Sequence, residues 1–318
     1  MQIIKGSSEQ KAFMSDISCD KTINQTISLL LGYFDGVHLG HARLIEESKK
    51  SCSISVVRMF ESLPKANVML TTLDEKLELF ENLGVDCVII DDFNVLRNMS
   101  GREFFERCVA SLSPSSIVCG YNYRFGKGAS YNTDDMKKYA AERGISCTVV
   151  PEFTRGGKSV SSSRIRSLLA DGDVSEANAL LGRMYSVTDV ICHGKELGRT
   201  IGFPTINQRP PKTKALPKAG IYSCTAEFSV DGEKIVRGGV CNIGSRPTVN
   251  SDENDITLET YIFDYTGNLY SKEVKISFAE RLRGEVRFDS VESLREAISH
   301  DVLHARESLE ECLYINNK

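Results

Sequence analysis

Two of the five histidines, His38 and His41, fall inside one glycine-rich decapeptide, Gly32-Tyr33-Phe34-Asp35-Gly36-Val37-His38-Leu39-Gly40-His41. The stretch lies where an apolar, strand-like run gives way to a helical pattern. Two imidazoles at a helix N-terminus can both donate to phosphate oxygens, and the helix dipole and free N–H groups favour the anion. Gly36 and Gly40 let backbone come close to a ligand. His38 and His41 are therefore candidate catalytic residues, with Gly32, Phe34, Asp35, Gly36 and Gly40 as candidate nucleotide contacts. Nothing in the segment is set up as a covalent nucleophile. The chemistry that fits is in-line attack by a bound substrate phosphate on the α-phosphate of ATP, with pyrophosphate leaving and catalysis coming from positioning and charge stabilisation.

Two further segments are expected to join this site. Gly120-Tyr121-Asn122-Tyr123-Arg124-Phe125-Gly126 follows an apolar run, and Val160-Ser161-Ser162-Ser163-Arg164-Ile165-Arg166 opens a helix. Ser162 and its neighbours offer hydroxyls and a helix N-terminus, and Arg166 offers a planar fork for phosphate; an ordinary serine cap beside a surface arginine is the plain alternative. Asn122 suits a turn equally well. Gly157-Lys158-Ser159 imitates a P-loop, but the first glycine of that motif would fall at Glu152, so the P-loop reading is rejected.

A second constellation lies in Gly194-Lys195-Glu196-Leu197-Gly198-Arg199-Thr200-Ile201-Gly202-Phe203-Pro204-Thr205-Ile206-Asn207. Gly194, Gly198 and Gly202 recur every fourth residue, as in backbone kept bare for phosphates, while the Thr205 hydroxyl and Asn207 amide oxygen are donors suited to Mg2+ on a nucleotide. A barrel turn would carry the same glycines. Glu259 alternates with the apolar residues of Ile256-Thr257-Leu258-Glu259-Thr260-Tyr261-Ile262, and so points away from Leu258 and Thr260. If it shares a face with Thr205 it can take the proton of a hydroxyl attacking the γ-phosphate of ATP; otherwise it is a solvated strand glutamate.

The elements that must position these residues change character along the chain. From Thr26 to Gly182, short apolar runs alternate with amphipathic stretches, which predicts a parallel sheet covered by helices. Thr72 and Glu75 can form a capping box, and Gly84 stands at the helix C-terminus. A single helix is expected over Gly101–Leu112. The run Ser161–Gly182 reads as helical with a break near Asp171-Gly172. Beyond Arg183 extended stretches dominate, with hairpin signals at Asp231-Gly232 and Thr266-Gly267-Asn268, predicting a barrel. A final helix is expected with Leu294, Ile298, Val302 and Leu309 on one face. The boundary falls at 183/184, giving domains 1–183 and 184–318.

Composition agrees with a folded globular chain. The chain has 318 residues, 41% of them hydrophobic and 26% charged, which suits two independent cores rather than disorder. Its net charge of -4 argues against a nucleic-acid backbone as partner. The ten cysteines are scattered with no CxxC pair, as reduced thiols would be. The N-terminus lacks the apolar core of a signal peptide and no run approaches 18 apolar residues, so neither export nor a membrane partner is expected, and the cytoplasm is the expected compartment.

Taken together, the GYFDGVHLGH, GYNYRFG and SSSRIR segments resemble the FMN adenylyltransferase (FAD synthetase) module of the bifunctional riboflavin kinase/FAD synthetases, a branch of the HxGH nucleotidylyltransferases. GKELGRTIGFPTIN, GGVCNIGSRPTV, LETYIFDYTGNLY and RLRGEVRF resemble the riboflavin kinase module. The resemblance implies an α/β protein, with a Rossmann-like parallel-sheet domain followed by a small β-barrel and a C-terminal helix. It further implies that riboflavin becomes FMN in the second domain and FMN becomes FAD in the first, each step using one Mg-ATP. On that resemblance His38 and His41 stabilise the transferring group, and Ser162 and Arg166 hold ATP phosphates. Asn122 lies near the substrate phosphate or the flavin, Arg124 contacts the flavin, Thr205 and Asn207 bind Mg-ATP, Glu259 acts on the terminal ribityl hydroxyl, and Arg283 closes over flavin. Four features depart from the family pattern. Tyr33 stands where Asn is usual, Ser163 where Thr is usual and Ile206 where Ala is usual, and Phe60-Glu61-Ser62-Leu63-Pro64 lacks a histidine. A chain active only as the kinase, or a non-catalytic flavin-binding protein, are the alternatives these departures leave.

Overall fold

The apolar runs of the first half become a six-stranded sheet in the computed structural model, which describes residues 1–5, 9–10, 26–50, 52–61, 68–194, 197–246 and 255–316. The strands are β1 (Gln2–Lys5), β2 (Ile27–Leu31), β3 (Ile54–Phe60), β4 (Cys87–Asp91), β5 (Ser116–Gly120) and β6 (Ser146–Val150). They lie in the order β1-β4-β3-β2-β5-β6 with every pairing parallel. Every residue of β2 is buried, as befits a central strand covered on both faces. Leu29 and Leu31 join one core with Phe105, Met136 and Ala140, while Leu30 joins another with Ile45 and Phe80. Strand alternation thus divides one apolar run between two cores.

Helices α1 (Leu39–Ser48), α2 (Leu73–Asn82) and α3 (Thr133–Glu142) cover this sheet. The Thr72–Glu75 capping box forms as expected, and Gly84 follows the C-cap with a left-handed φ of +67°. Gly101–Leu112 departs from the single helix expected of it: one α-turn runs into a π-turn at Phe105–Val109 and then a 3-10 turn. Arg58 reaches under this segment and its Nη1 donates to Cys108 O at 2.7 Å, claiming a carbonyl that the helix would otherwise use. The short edge strand β1 escaped sequence reading because only Ile4 of its four residues turns inward, leaving no alternation to detect.

A short antiparallel pair, β7 (Thr154–Arg155) and β8 (Lys158–Ser159), follows β6. Contacts divide the chain into units Met1–Ser162 and Ser163–Lys318. The second unit begins within α4 (Ser162–Asp171), which is followed by α5 (Val174–Leu181). The break falls at Gly172, with φ +88°, where a Cβ would stand 2.8 Å from Arg281 Cδ. Strands β9 (Tyr185–Val190), β10 (Thr205–Gln208), β11 (Gly220–Val230), β12 (Glu233–Arg246), β13 (Asp255–Ile262) and β14 (Glu273–Arg283) form an antiparallel sheet in the order β10-β13-β12-β11-β14-β9. The β11–β12 hairpin turns on Asp231 (φ +51°) and Gly232 (φ +85°), the paired positive φ values of a primed turn. The sheet curls until Cys192 N, just past β9, donates to Asn207 O at 2.8 Å. Its inner face is filled by Tyr222, Cys224, Leu258, Thr260, Cys241 and Phe278, all fully buried. On the outer face, α6 (Val291–Asn316) lays Val302, Ala305 and Leu309 against Ile221, Val240, Phe263 and Ala279. Leu294 and Ile298 are half-buried on that helix, as the expected stripe requires. Among the described residues no helix is long and apolar enough to cross a membrane.

Candidate active sites

In the first unit the decapeptide leaves β2 through a tightly wound backbone. Phe34 (φ +56°), Gly36 (φ +78°) and Val37 (φ +38°) are all left-handed, a concentration of costly conformations that surrounding structure must hold. Asp35 supplies much of that hold. Its buried carboxylate accepts from Leu70 N at 2.9 Å and Thr71 N at 3.3 Å, while Gly36 N donates to Thr71 Oγ1 and Ser162 Oγ donates to Asp35 O. The Phe34 ring is buried edge-on against Phe80. Asp35, Phe34 and Ser162 therefore act on the shape of the loop. Gly32, Gly36 and Gly40 are kept bare by the Phe34 ring, Leu70 and the His38 ring respectively.

The loop delivers His38 as the N-cap of α1, with His41 one turn along. Their rings stack at 3.7 Å between centroids and 15° between planes. His41 N donates to His38 O at 2.7 Å and to His38 Nδ1 at 3.3 Å. An accepting Nδ1 places the His38 proton on Nε2, where it can be offered to a ligand oxygen. Asn122 and Arg124 are exposed on the turn after β5, and β5 lies beside β2, so both turns leave the same C-terminal edge of the sheet. Arg166 belongs to the second unit, where its Nη2 donates to Ser163 Oγ at 3.3 Å.

One residue escaped sequence reading. Lys76 on α2 is 1% exposed, donates from Nζ to Tyr33 O at 3.1 Å, and lies 4.3 Å from the centre of the Tyr33 ring. Burial lowers it to about 8, partly offset by attraction to Asp35. The unusual Tyr33 thus covers a buried ammonium beneath the loop. A lysine three residues after Leu73 and four before Phe80, on the apolar face of α2, was the signal available.

In the second unit the register aligns the other constellation. Asn207 on β10 pairs with Glu259 on β13, and Glu259 pairs with Asn242 on β12. Directly opposed residues of antiparallel strands share a face. Thr205, two residues before Asn207, stands on that face opposite Tyr261, and the side chains of Leu258 and Thr260 fill the inner one. Glu259 is half-buried, and the register puts it on the same face as Thr205 and Asn207. The glycines fit around them. A Cβ at Gly194 would stand 2.5 Å from the Asn207 carboxamide, Gly198 is closed by Phe203 O, and Gly202 adopts φ +89°. Lys195 and Glu196 lie outside the described residues, as do Ser62 to Pro64 and Pro247 to Val249.

Arg283 ends the same row, opposite Ile221 on β11. Its Nε and Nη2 donate to the two carboxylate oxygens of buried Asp301 at 2.8 and 2.6 Å, and Nη1 donates to Gly284 O. That fork ties β14 to α6 rather than projecting freely. Among the described residues no cluster of three or more His, Cys, Asp or Glu could hold a metal ion. Thr205 and Asn207 are two neutral oxygen donors, a set that fits Mg2+ when phosphate and water complete its shell.

The chain matches the FAD synthetase family over residues 20–164 and the riboflavin kinase family over residues 181–309. A bifunctional riboflavin kinase/FMN adenylyltransferase of Bacillus subtilis (strain 168) is 34% identical over 291 residues, spanning 86% of this chain and 89% of the relative. One of the same description from Escherichia coli (strain K12) is 35% identical over 292 residues, spanning 88% and 91%. A solved structure from Streptococcus pneumoniae, described as a macrolide-efflux protein, is 26% identical with a TM-score of 0.82, covering 96% of this chain and 99% of its own.

Proposed function

The chain belongs to the bifunctional riboflavin kinase/FMN adenylyltransferase family, and from that membership we propose how its residues divide the work. It is a transferase that phosphorylates riboflavin to FMN and adenylylates FMN to FAD, with ATP as co-substrate in both steps. We assign the adenylyl transfer to domain 1–183 and the phosphorylation to domain 184–318.

In the first domain an FMN phosphate oxygen attacks the α-phosphorus of ATP and pyrophosphate departs. His38, through Nε2–H, and His41 stabilise the charge that grows on the transferring phosphoryl oxygens. The Gly32–Gly36 loop, Gly40 and Ser162 hold the nucleotide phosphates. Phe34 and Asp35 contribute by fixing the loop, and Asn122 and Arg124 serve the flavin side.

In the second domain the terminal ribityl hydroxyl of riboflavin attacks the γ-phosphorus of ATP. Glu259 accepts the hydroxyl proton as the new P–O bond forms and ADP leaves. Gly194, Gly198 and Gly202 leave room for the phosphates, and Thr205 and Asn207 hold Mg-ATP. Mg2+, when bound, neutralises charge on the phosphate oxygens. Arg283, fastened by Asp301, forms a fixed wall on the flavin side. The free thiols Cys52, Cys87, Cys108, Cys119, Cys147, Cys192, Cys224 and Cys241 support a cytoplasmic location.

The single observation that carries this assignment is the register setting Glu259 opposite Asn207. Its test is a time course of purified protein with Mg-ATP and either riboflavin or FMN, following FMN and FAD separately. His41→Ala is expected to lower FAD formation by roughly 10² to 10³ while FMN still accumulates. Glu259→Gln is expected to stop FMN formation while added FMN is still adenylylated. Loss of both steps in either variant refutes the division.

A further inference from the structure

The row on the outer face of the second unit contains a polar residue that the reaction so far leaves unused. Asn242 on β12 stands directly across from Glu259, which stands directly across from Asn207. Cross-strand neighbours have Cβ atoms about 5 Å apart, so two carboxamides flank the proposed base on either side. The glycine at 244 makes room for another carboxylate in this neighbourhood: a Cβ there would collide with Glu285 Oε1, and would stand 3.5 Å from Asn242 Nδ2. Asn242 Oδ1 is buried and accepts no hydrogen bond among the described residues. A buried acceptor without a donor is costly, and one beside a catalytic carboxylate has a defined set of possible donors.

Phosphate oxygens of ATP carry no proton at neutral pH, and neither does an ionised carboxylate, so neither can satisfy this oxygen. A neutral hydroxyl can. The acceptor alcohol ends in a polyol chain, which presents a second hydroxyl next to the one that reacts. We propose that Asn242 Oδ1 accepts a hydrogen bond from the hydroxyl adjacent to the reacting one, making Asn242 a specificity-determining residue for polyol acceptors. The proposal rests on the reading of Glu259 as base in the same row. It gives the two flanking carboxamides different duties: Asn207 faces the nucleotide and Asn242 faces the acceptor. A polyol held at two adjacent oxygens has its terminal hydroxyl fixed over Glu259 in one rotamer.

The test pairs a substitution with a substrate change. Asn242→Leu, which keeps the volume and removes the acceptor, is expected to raise KM for riboflavin roughly tenfold while leaving KM for ATP within about twofold. A riboflavin analogue lacking the hydroxyl next to the terminal one is expected to show the same loss with the parent enzyme and little further loss with Asn242→Leu, the non-additivity of two partners in one contact. An unchanged KM for ATP in riboflavin phosphorylation reports that the second domain is folded. The proposal is overturned if KM for ATP rises instead, which would place the amide on the nucleotide, or if the two losses multiply. A Glu259→Gln variant that phosphorylates riboflavin at the parental rate would remove the base assignment alone, since the substrate cycle still reports whether Asn242 meets the hydroxyl.

Discussion

Lys76 shows how a residue without chemistry of its own can shape a site. Its ammonium is buried beneath Tyr33 and lowered to about 8 from 10.5, with desolvation the larger cause and Asp35 opposing it. Because the folded-state value lies below the unfolded one, both states hold the proton under pH 8 and the burial cost is felt in full. Between pH 8 and 10.5 the folded protein sheds the proton first, so stability from this group rises with pH. The whole shift corresponds to roughly 3 kcal/mol. Thermal melts of the parent and Lys76→Met are therefore expected to differ in the variant's favour near pH 7 and to converge by pH 10. A difference that does not change with pH would show that Lys76 titrates normally. The same residue explains how Tyr33 is accommodated, since the ring lies over Nζ and the Tyr33 carbonyl accepts from it.

At the scale of elements, the contact between β14 and α6 depends on one ion pair. Asp301 is 4% exposed, and Arg283 meets both of its oxygens. Arg283→Ala would leave a carboxylate buried without its partner, with an expected stability loss of about 3 kcal/mol in urea denaturation. Replacing the pair together, Arg283→Met with Asp301→Leu, is expected to recover most of that loss, because apolar packing can substitute for a buried ion pair. Equal destabilisation by the single and double changes would mean that the fork, not the burial of Asp301, decides how the helix docks. The loop between β2 and α1 is fixed by a similar economy of parts: Asp35 ties it to the segment before α2 through two backbone amides.

At the scale of the whole molecule, the question is which segments each module needs. The change of pattern places the proposed boundary at 183/184, whereas contacts group everything after Ser162 with the second unit. Asn178 on α5 accounts for the difference. Its Nδ2 donates to Phe278 O at 2.9 Å, and its Oδ1 accepts from Tyr185 N at 2.6 Å, so α5 stitches the start of β9 to β14. A fragment of residues 163–318 is expected to melt at a higher temperature than one of residues 184–318, although both contain Thr205, Asn207, Asn242 and Glu259. Identical melting of the two would show that the helices are dispensable to the barrel.

Local sequence alone determined much of this protein. The capping box at Thr72, the hairpin at Asp231-Gly232, the helix break at Gly172 and the placement of His38 and His41 at a helix start all follow from interactions spanning a few residues. The family resemblance added the reactions. What tertiary structure decided was how distant segments meet. Asn207, Asn242 and Glu259 come from three strands, and only hydrogen-bond register makes them one row; a slip of one residue would send Glu259 to the apolar face. Likewise, no pattern in the sequence couples Arg283 to Asp301, bends Gly101–Leu112 around Arg58, or commits Asp35 to the backbone of Leu70 and Thr71. Short-range propensity and periodicity are written along the chain, but side-chain commitments across it exist only once the strands have paired and the cores have closed.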